Sequence, residues 1–246
     1  MNMRNIKLTI RYDGTDYSGW QFQKNATSIQ ETIESALRKI TGERTVLIAS
    51  GRTDAGVHAL AQVANFHTAS KIPLKNLRMA LNSILPDDMI ITRAEDAAPA
   101  FNSQKHARSK LYRYTIYNKE FMDPFLKRYA SKCFFKLDIR PMKESAKYLI
   151  GRRDFTSFRT KDDRVASAVR TIKRIKIIRR GDLIYIDIEA DGFLYNMVRN
   201  IVGTLVDVGR GKLAPVDVKH ILSKKDKRSC GPTASASGLS LVKVRY

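Results

Sequence analysis

The sequence predicts an α+β fold of two similar halves, each a largely antiparallel sheet with helices on one face. One sign of this is the alternating apolar run Ile6, Leu8 and Ile10, which is typical of a half-buried strand. A second is a capping box, in which Ser28 is followed by Glu31 and then by a helical apolar face. A third is repetition, because an order of strand, helix, strands, helix and strand occurs before residue 100 and again after it.

The first half is predicted to span residues 1–100. Its first helix is expected to bury one face, made of Ile29, Ile33, Leu37 and Ile40. Apolar runs and turn residues then predict strands at 46–49 and 62–66, a helix at 74–81 and a strand at 89–92.

The second half is predicted to span residues 101–246. Its first strand, 111–117, places Tyr112 and Tyr114 on one face. The remaining elements are expected to be a helix at 141–150, a hairpin of strands 169–178 and 183–190, a helix at 193–208 and a closing strand at 239–246.

The charge of the chain indicates a polyanionic partner. Lysine and arginine total 45 residues against 24 aspartates and glutamates, a formal net charge of +21. Such a surplus repels itself unless a polyanion neutralises it, and nucleic acid is the first candidate because phosphate contacts release counterions. A basic surface that only aids solubility is the weaker alternative, because acidic surfaces serve that purpose as well.

The basic residues are concentrated in the second half. Residues 101–140 contain ten lysines and arginines and three acidic residues, with four tyrosines among them. Bases stack on aromatic rings while cations contact phosphates, so we expect an RNA-binding cleft between the two halves. The basic strand 169–178 fits a solvated face or a phosphate-tracking face, and the charge of the whole chain favours the second.

Several classes of protein are not expected. Cys133 and Cys230 have no CxxC spacing, so we expect reduced thiols in a cytoplasmic protein and not a disulfide framework. The four histidines are scattered, with no second His or Cys at ligand spacing, so no metal site is expected. The sequence shows neither a signal peptide nor an apolar run long enough to cross a membrane.

The most distinctive segment is Gly-Arg-Thr-Asp-Ala-Gly-Val-His-Ala at residues 51–59. Its glycines allow close backbone approach, so the loop could hold a ligand group against Asp54 while Arg52 reaches outward. A tight turn, with Thr53 and Asp54 capping the next segment, fits as well. The residues alone leave both interpretations open. We interpret His58 as structural support for this loop.

This segment resembles the signature of the TruA family of tRNA pseudouridine synthases, and further similar motifs run from residue 12 to residue 241. They are Tyr-Asp-Gly at 12–14, Ser-Gly-Trp-Gln at 18–21, the helix start at 28–31, Lys-Leu-Tyr-Arg-Tyr at 110–114, Gly151 with Asp-Phe-Thr-Ser-Phe at 154–158, Met-Val-Arg-Asn-Ile-Val-Gly at 197–203, and Gly-Leu-Ser-Leu at 238–241. The resemblance therefore covers nearly the whole chain.

The resemblance implies an isomerase that converts uridine to pseudouridine in RNA with one essential aspartate, which by motif position is Asp54. It implies no metal and no organic cofactor. It also implies a homodimer, and a target in the tRNA anticodon stem-loop around positions 38 to 40. Whether Asp54 adds covalently to the nucleotide or acts as a base is left open.

The remaining candidate site residues have roles around the extruded uridine. The resemblance suggests Arg199 as the cation that holds the Asp54 charge, because burial disfavours a lone carboxylate. Arg52 is expected to fill the space that the flipped base leaves, and Tyr112 to stack on the uracil. Leu239 or Leu241 is expected to form the apolar side of the uracil slot. Ordinary core packing is the alternative for Tyr112 and for the leucines, and a surface charge for Arg199.

One segment departs from the family pattern. The family carries Phe-His-Ala-Arg where this chain has Phe-Asn-Ser-Gln at 101–104, so its His and Arg are Asn and Gln. The departure leaves the reaction intact but leaves the RNA target open, so another tRNA site or ribosomal RNA would fit. A non-catalytic RNA-binding protein on the same scaffold is the alternative function. A metal-dependent phosphoesterase would need a carboxylate cluster, which the sequence does not show.

Overall fold

The computed structural model describes residues 3–162 and 165–246 and has the mixed α and β content that the sequence predicts. In chain order its strands and helices are β1 (Arg4–Tyr12), α1 (Ile29–Thr41), β2 (Ile48–Ala49), β3 (His58–Thr68), α2 (Leu74–Ile84), β4 (Met89–Ala97), β5 (Ser109–Tyr117), β6 (Ser131–Lys132), α3 (Ile139–Leu149), β7 (Gly151–Asp154), β8 (Val169–Arg180), β9 (Leu183–Ala190), α4 (Met197–Gly209), α5 (Asp217–Lys224) and β10 (Leu239–Arg245).

The chain divides into two compact units. One consists of Met1–Arg108 with Ser240–Tyr246, and the other of Ser109–Leu239. The first unit thus extends past residue 100 and takes in the C-terminal segment, which the predicted division assigns to the second half. The predicted domain boundary stays a prediction, because a compact unit need not fold independently.

The first unit is built on strands in the order β4, β1, β3 and β10, with β2 also paired to β3. β1 is antiparallel to β3 and β4, whereas β10 runs parallel to β3. The alternation in β1 places Ile6, Leu8 and Ile10 in the core, as predicted. β2 is shorter than the predicted strand 46–49, because only Ile48 and Ala49 of that range pair with β3.

The predicted helix start at Ser28 is confirmed. The Ser28 side chain accepts a hydrogen bond from the Glu31 N–H, and the helix ends at Gly42, whose φ of 74° reverses the chain. Ile29 and Ile33 are fully buried, so the apolar face of α1 contributes to the core of the first unit.

The second unit is built on strands in the order β5, β9, β8 and β7, with β6 beside β5. β5 and β9 are antiparallel, and their register aligns Tyr112 with Ile188 and Tyr114 with Ile186 on one buried face. α3 packs against α4, α5 and β8. The predicted hairpin is confirmed, with its turn at Gly181, whose φ is 57°.

The predicted helix at 193–208 begins too early. α4 starts at Met197, because Asn196 has φ 60° and ψ 6°, a left-handed conformation that a right-handed helix cannot include. The apolar residues Phe193 and Leu194 continue the helical pattern in sequence but precede the helix. The sequence analysis also missed α5, β6 and β7, which are short.

Candidate active site

The loop of residues 50–57, between β2 and β3, carries the candidate catalytic carboxylate and is fastened to β3. The Ser50 N–H donates to Val63 O at 2.7 Å, and its hydroxyl donates to Gln62 Oε1 at 2.7 Å. The Gln62 amide in turn donates to Gly51 O at 2.8 Å. The first residues of the loop therefore have a fixed path.

Thr53 is the buried anchor in the middle of this loop. Its Oγ1 is hydrogen-bonded to Tyr12 Oη at 2.7 Å, and its carbonyl accepts the Trp20 N–H at 3.0 Å. Burial raises the pKa of Tyr12 above its usual range, so its hydroxyl stays a neutral hydrogen-bonding group. The Thr53 side chain thus ties the loop to β1 and does not cap the segment that follows.

Two glycines allow the segment after β1 to approach the loop. Gly19 has φ +90°, and a Cβ there would lie 2.7 Å from Thr53 O. A Cβ at Gly14 would collide with Val57 O. These contacts give a physical reason for the Tyr-Asp-Gly and Ser-Gly-Trp-Gln motifs that the sequence analysis singled out.

Asp54 follows Thr53 at a turn. The Val57 N–H donates to Asp54 O at 3.1 Å, and Gly56 has φ 74°. Asp54 is half-buried, whereas Arg52 is exposed. The backbone that carries the carboxylate is therefore fixed on both sides, while Arg52 reaches solvent.

His58 supports the loop where β3 begins. It is 3% exposed, and its Nδ1 lies 3.0 Å from Asp13 Oδ1 and 3.1 Å from Gly14 N. One nitrogen cannot donate to the carboxylate and accept from the N–H together, so the two contacts are alternatives. Either contact joins the end of the loop to the end of β1, as the sequence analysis expected.

Leu241 lies on β10, where it pairs with Ala59 of β3, just after the loop. It is fully buried, and Leu239 is 5% exposed. Arg52, Asp54 and Leu241 therefore belong to the first unit. Core packing accounts for the burial of both leucines, and their part in a uracil slot stays a prediction.

Tyr112 and Arg199 belong to the second unit. Tyr112 lies on β5 with 7% of its surface exposed, and its ring meets Phe193 edge to face with centroids 5.0 Å apart. Phe193 lies just before α4, the helix that carries Arg199. The aromatic contact therefore fixes the plane of the Tyr112 ring.

Arg199 lies in the first turn of α4, and two hydrogen bonds direct its guanidinium. Its Nε donates to Ala234 O at 2.7 Å, and its Nη1 donates to Asn196 Oδ1 at 2.9 Å. These contacts fix the guanidinium, and its role as the partner of Asp54 stays a prediction. Asn196 and Ala234 were missed by sequence reasoning, because neither contact follows from a residue pattern.

The segment of residues 231–234 lies along α4 and carries the Ala234 carbonyl. The Ala234 N–H donates to Arg199 O at 3.1 Å, and the Thr233 hydroxyl donates to Asn200 Oδ1 at 2.7 Å. A Cβ at Gly203 would collide with Pro232 O. The glycine that ends Met-Val-Arg-Asn-Ile-Val-Gly is thus required for this close approach.

Lys110, at the start of β5, is a partly buried cation to which the sequence motif 110–114 assigned no role of its own. Burial lowers its pKa, and the charge of Arg170 lowers it further, while Asp191 opposes the shift. The charged form of Lys110 is therefore less favourable in the folded chain than in water.

Acidic residues of β9 neutralise part of the basic charge of β5 and β8. The Arg113 guanidinium donates to both Asp187 oxygens at 2.7 and 2.8 Å. Arg174 lies 3.9 Å from Glu189. Neighbouring strands thus neutralise part of this charge, and the phosphate-tracking interpretation of β8 stays a prediction.

The atypical segment 101–104 is integrated into the first unit. The Ser103 N–H donates to Asn65 Oδ1 at 2.8 Å, and Phe101 O accepts the Asn5 side-chain amide at 2.9 Å. The Phe101 ring lies 5.1 Å from that of Tyr246. The segment therefore braces its own unit, and its contact with RNA stays a prediction.

Within the described residues, no group of three or more His, Cys, Asp or Glu side chains could hold a metal ion. In the same part of the chain, no helix is long and apolar enough to cross a membrane.

The comparisons with known proteins agree with the motifs. A family model described as tRNA pseudouridine synthase matches residues 8–105 and 145–246. "tRNA pseudouridine synthase A" of Thermoanaerobacter sp. (strain X514) is 47% identical over 99% of this chain and 100% of its own length. The protein of that name in Acetivibrio thermocellus is 45% identical, and "tRNA pseudouridine synthase A 2" of Clostridium perfringens (strain 13 / Type A) is 46% identical, both over the same shares.

Among solved structures, one described as "Crystal Structure of a Cbf5-Nop10-Gar1 Complex" matches with a TM-score of 0.36 and 12% identity, over 96% of this chain and 57% of that one. A likeness at that level carries no argument about this chain. The family model and the full-length relatives suffice: this chain belongs to the tRNA pseudouridine synthase family.

Proposed function

We propose that this chain isomerises uridine to pseudouridine in structured RNA, with tRNA as its substrate and Asp54 as its catalytic group. The observation that carries the proposal is the anchored loop, in which Thr53 bonds to Tyr12 and to Trp20 and so fixes the backbone of Asp54. Membership in the family and the substrate in the names of its full-length relatives support the same reaction.

The reaction is an isomerisation, so it consumes no oxidant or reductant. The N1–C1′ bond breaks, the base turns, a C5–C1′ bond forms, and N1 gains a proton while C5 loses one. A carboxylate can attack the nucleotide and leave again, or remove the proton and return it. Either role needs Asp54 ionised, and we propose Arg199 as the cation that holds its charge.

A uridine stacked in a helix cannot reach a closed pocket, so the base must be extruded. We propose that the exposed Arg52 fills the vacated space and contacts phosphate. Tyr112 stacks on the uracil, with its ring plane already fixed by Phe193. Leu241 is proposed for the apolar side of the uracil slot.

The proposed target is a uridine of the tRNA anticodon stem-loop around positions 38 to 40, modified in the cytoplasm. Both described cysteines are free, which suits a reducing compartment. Mapping pseudouridines in total RNA with and without the gene tests reaction and target together. Loss of pseudouridine near those positions is expected; loss at another tRNA site or in ribosomal RNA would move the target, and no loss at all would contradict the proposed reaction.

A non-catalytic RNA-binding protein is the competing function. The enzyme and the pure binder are both expected to contact RNA phosphates. At a net charge of +21, RNA affinity should fall steeply as salt rises, because counterions are released on binding. Fluorescence anisotropy with a tRNA from low to physiological salt measures the slope. A flat response would contradict phosphate-dominated contact, and turnover of uridine by the purified chain would exclude the pure binder.

We also propose a homodimer. Three exposed phenylalanines of the second unit are the candidates for contacts between copies, because Phe121, Phe125 and Phe134 are 78, 91 and 61% exposed. Light scattering should give a dimer for the wild type and a smaller mass for Phe125→Ser with Phe134→Ser. Phe22→Ser, at an exposed residue of the first unit, is the control. A monomeric wild type would contradict the dimer, and a dimeric double variant would contradict these contacts.

A further inference from the structure

Asn196, the residue before α4, has an unusual backbone. Its φ of 60° is one of two positive φ angles at non-glycine residues in the described part of the chain, the other being that of Lys225. A left-handed residue with a Cβ is strained, so it persists only where the surroundings hold it. The strain at Asn196 therefore calls for a compensating interaction.

The side chain of Asn196 supplies that interaction, although not as a helix cap. An asparagine at the start of a helix ordinarily accepts a hydrogen bond from a backbone N–H of the first turn. Here no such bond is made. Instead Oδ1 accepts from Arg199 Nη1 at 2.9 Å, and Nδ2 donates to Thr160 Oγ1 at 3.0 Å.

Thr160 fixes the other end of the amide. Its N–H donates to the carbonyl of Tyr195, at 3.0 Å. Because the Arg199 guanidinium can only donate, the amide presents its oxygen to Arg199, and Nδ2 is left to donate to the Thr160 hydroxyl. The chain from Tyr195 through Thr160 to Asn196 thus sets where the acceptor lies.

Arg199 is then constrained at two points. Its Nε donates to Ala234 O at 2.7 Å and its Nη1 to Asn196 Oδ1. A guanidinium is planar, so two fixed N–H groups define the plane and the direction of the remaining ones. Removing the Asn196 amide takes away one of these two constraints on the guanidinium.

We propose that Asn196 is a positioning residue for the reaction, and that its amide, held between Thr160 and Arg199, fixes the direction of the Arg199 guanidinium. This inference rests on the proposed function, in which Arg199 holds the Asp54 charge. The left-handed backbone places the amide beside Arg199 and removes it from the ordinary capping position.

Asn196→Gly tests this role without disturbing the helix start. Glycine adopts positive φ without strain, so the variant removes the amide and keeps the backbone. Thermal stability should therefore be unchanged or higher, and RNA affinity and KM should stay within about twofold. kcat should fall about tenfold to a hundredfold, as expected for losing one hydrogen bond to a charged group.

Lys225→Gly is the matched control, because it changes the other left-handed residue, at the end of α5. Its side chain pairs with Asp154 at 3.0 Å, and the variant should leave kcat unchanged. Thr160→Val should lower kcat by less than Asn196→Gly, because the amide keeps its bond to Arg199 and loses only its bond to Thr160. An unchanged kcat in Asn196→Gly, or a loss of kcat that tracks a loss of folding, would overturn the proposal.

Arg199→Ala, measured in the same assay, separates this inference from the proposed function. If Arg199→Ala loses activity while Asn196→Gly keeps it, the positioning role fails and the role of Arg199 stands. If Arg199→Ala turns over at the wild-type rate, the role of Arg199 fails. If both variants lose activity, the double variant Asn196→Gly with Arg199→Lys should have nearly the kcat of Arg199→Lys alone. Effects on kcat are not additive when one residue acts through the other.

Discussion

The two charged groups of the proposed site are held in different ways. The backbone of Asp54 is held through main-chain atoms of its own loop, such as Thr53 O and Gly51 O, which accept hydrogen bonds. The guanidinium of Arg199 is held directly, by the Asn196 side chain and by Ala234 O. The first arrangement fixes a segment of chain, and the second fixes one functional group.

This difference predicts how substitutions act. A fixed segment has several redundant contacts, so losing one side-chain bond there should reduce stability more than activity. The Arg199 guanidinium is one functional group, so losing a side-chain bond that directs it should reduce activity more than stability. Both regions also contain a close backbone approach, at Gly19 and at Gly203, where an added methyl group should harm both properties.

Gly203→Ala should have the largest effect on stability. Its Cβ would collide with Pro232 O, so the segment 231–234 must move away from α4 and carry Ala234 O away from Arg199. We expect a loss of about 3 kcal/mol in the free energy of unfolding, the upper range for overpacking, together with a fall in kcat. Urea denaturation and single-turnover kinetics measure the two.

Gly42→Ala is the control for Gly203→Ala. Gly42 ends α1 with φ 74°, and nothing lies within 4 Å of its would-be Cβ. Strain alone should cost about 1 kcal/mol, with kcat unchanged. If Gly203→Ala were no more destabilising than this control, the close approach to Pro232 would not be a constraint.

Gly19→Ala should have the next effect. It combines φ +90° with a Cβ 2.7 Å from Thr53 O, so Thr53 and the Asp54 backbone must shift. We expect a loss of about 2 kcal/mol in stability and a lower kcat, from strain and crowding together. Wild-type turnover in a folded Gly19→Ala variant would show that the position of the loop does not control the reaction.

Tyr12→Phe sharpens the comparison. It leaves Thr53 Oγ1 without its 2.7 Å partner but keeps the bond from Trp20 N to Thr53 O. The free energy of unfolding should fall by about 1 kcal/mol, while kcat changes by less than about threefold. A larger loss of kcat than in Asn196→Gly would reverse the distinction between the two regions.

Lys110→Met should have the smallest effect, and it should be stabilising. Because burial lowers the pKa of Lys110 in the folded chain, its charged form is disfavoured there, and replacing it removes that penalty. The sign follows from the lowered pKa: the penalty is complete below the folded pKa and disappears as pH rises toward 10.5. Urea denaturation at neutral and alkaline pH should show the gain at neutral pH only, and a destabilised variant at neutral pH would contradict it.

Short sequence patterns predicted the helices and strands whose formation depends on neighbouring residues in the chain. The alternation of β1 and the capping box at Ser28 each specify a structure within a few residues, and both were confirmed. The predicted start of α4 was wrong, because the apolar period continues through Phe193 while the hydrogen bond that Asn196 donates to Thr160, 36 residues earlier, helps to hold Asn196 in a left-handed conformation. Such distant contacts leave no periodic signal in the sequence.

The candidate site shows the same limit. Its motifs could be found in the sequence, because the glycines and the Arg-Thr-Asp core are contiguous. The bond from Thr53 to Tyr12 and the bond from Arg199 to Ala234 could not, because each joins residues far apart in the chain. The sequence therefore predicts which residues are candidates for the site, but it does not predict the hydrogen bonds that hold them.

The most direct test is single-turnover conversion of uridine by Asp54→Asn, with RNA affinity measured on the same sample. The side chain keeps its shape but can neither attack as a carboxylate nor take a proton, so pseudouridine formation should be abolished while the dissociation constant stays close to that of the wild type. Conversion at a rate comparable to the wild type would show that Asp54 is not the catalytic group.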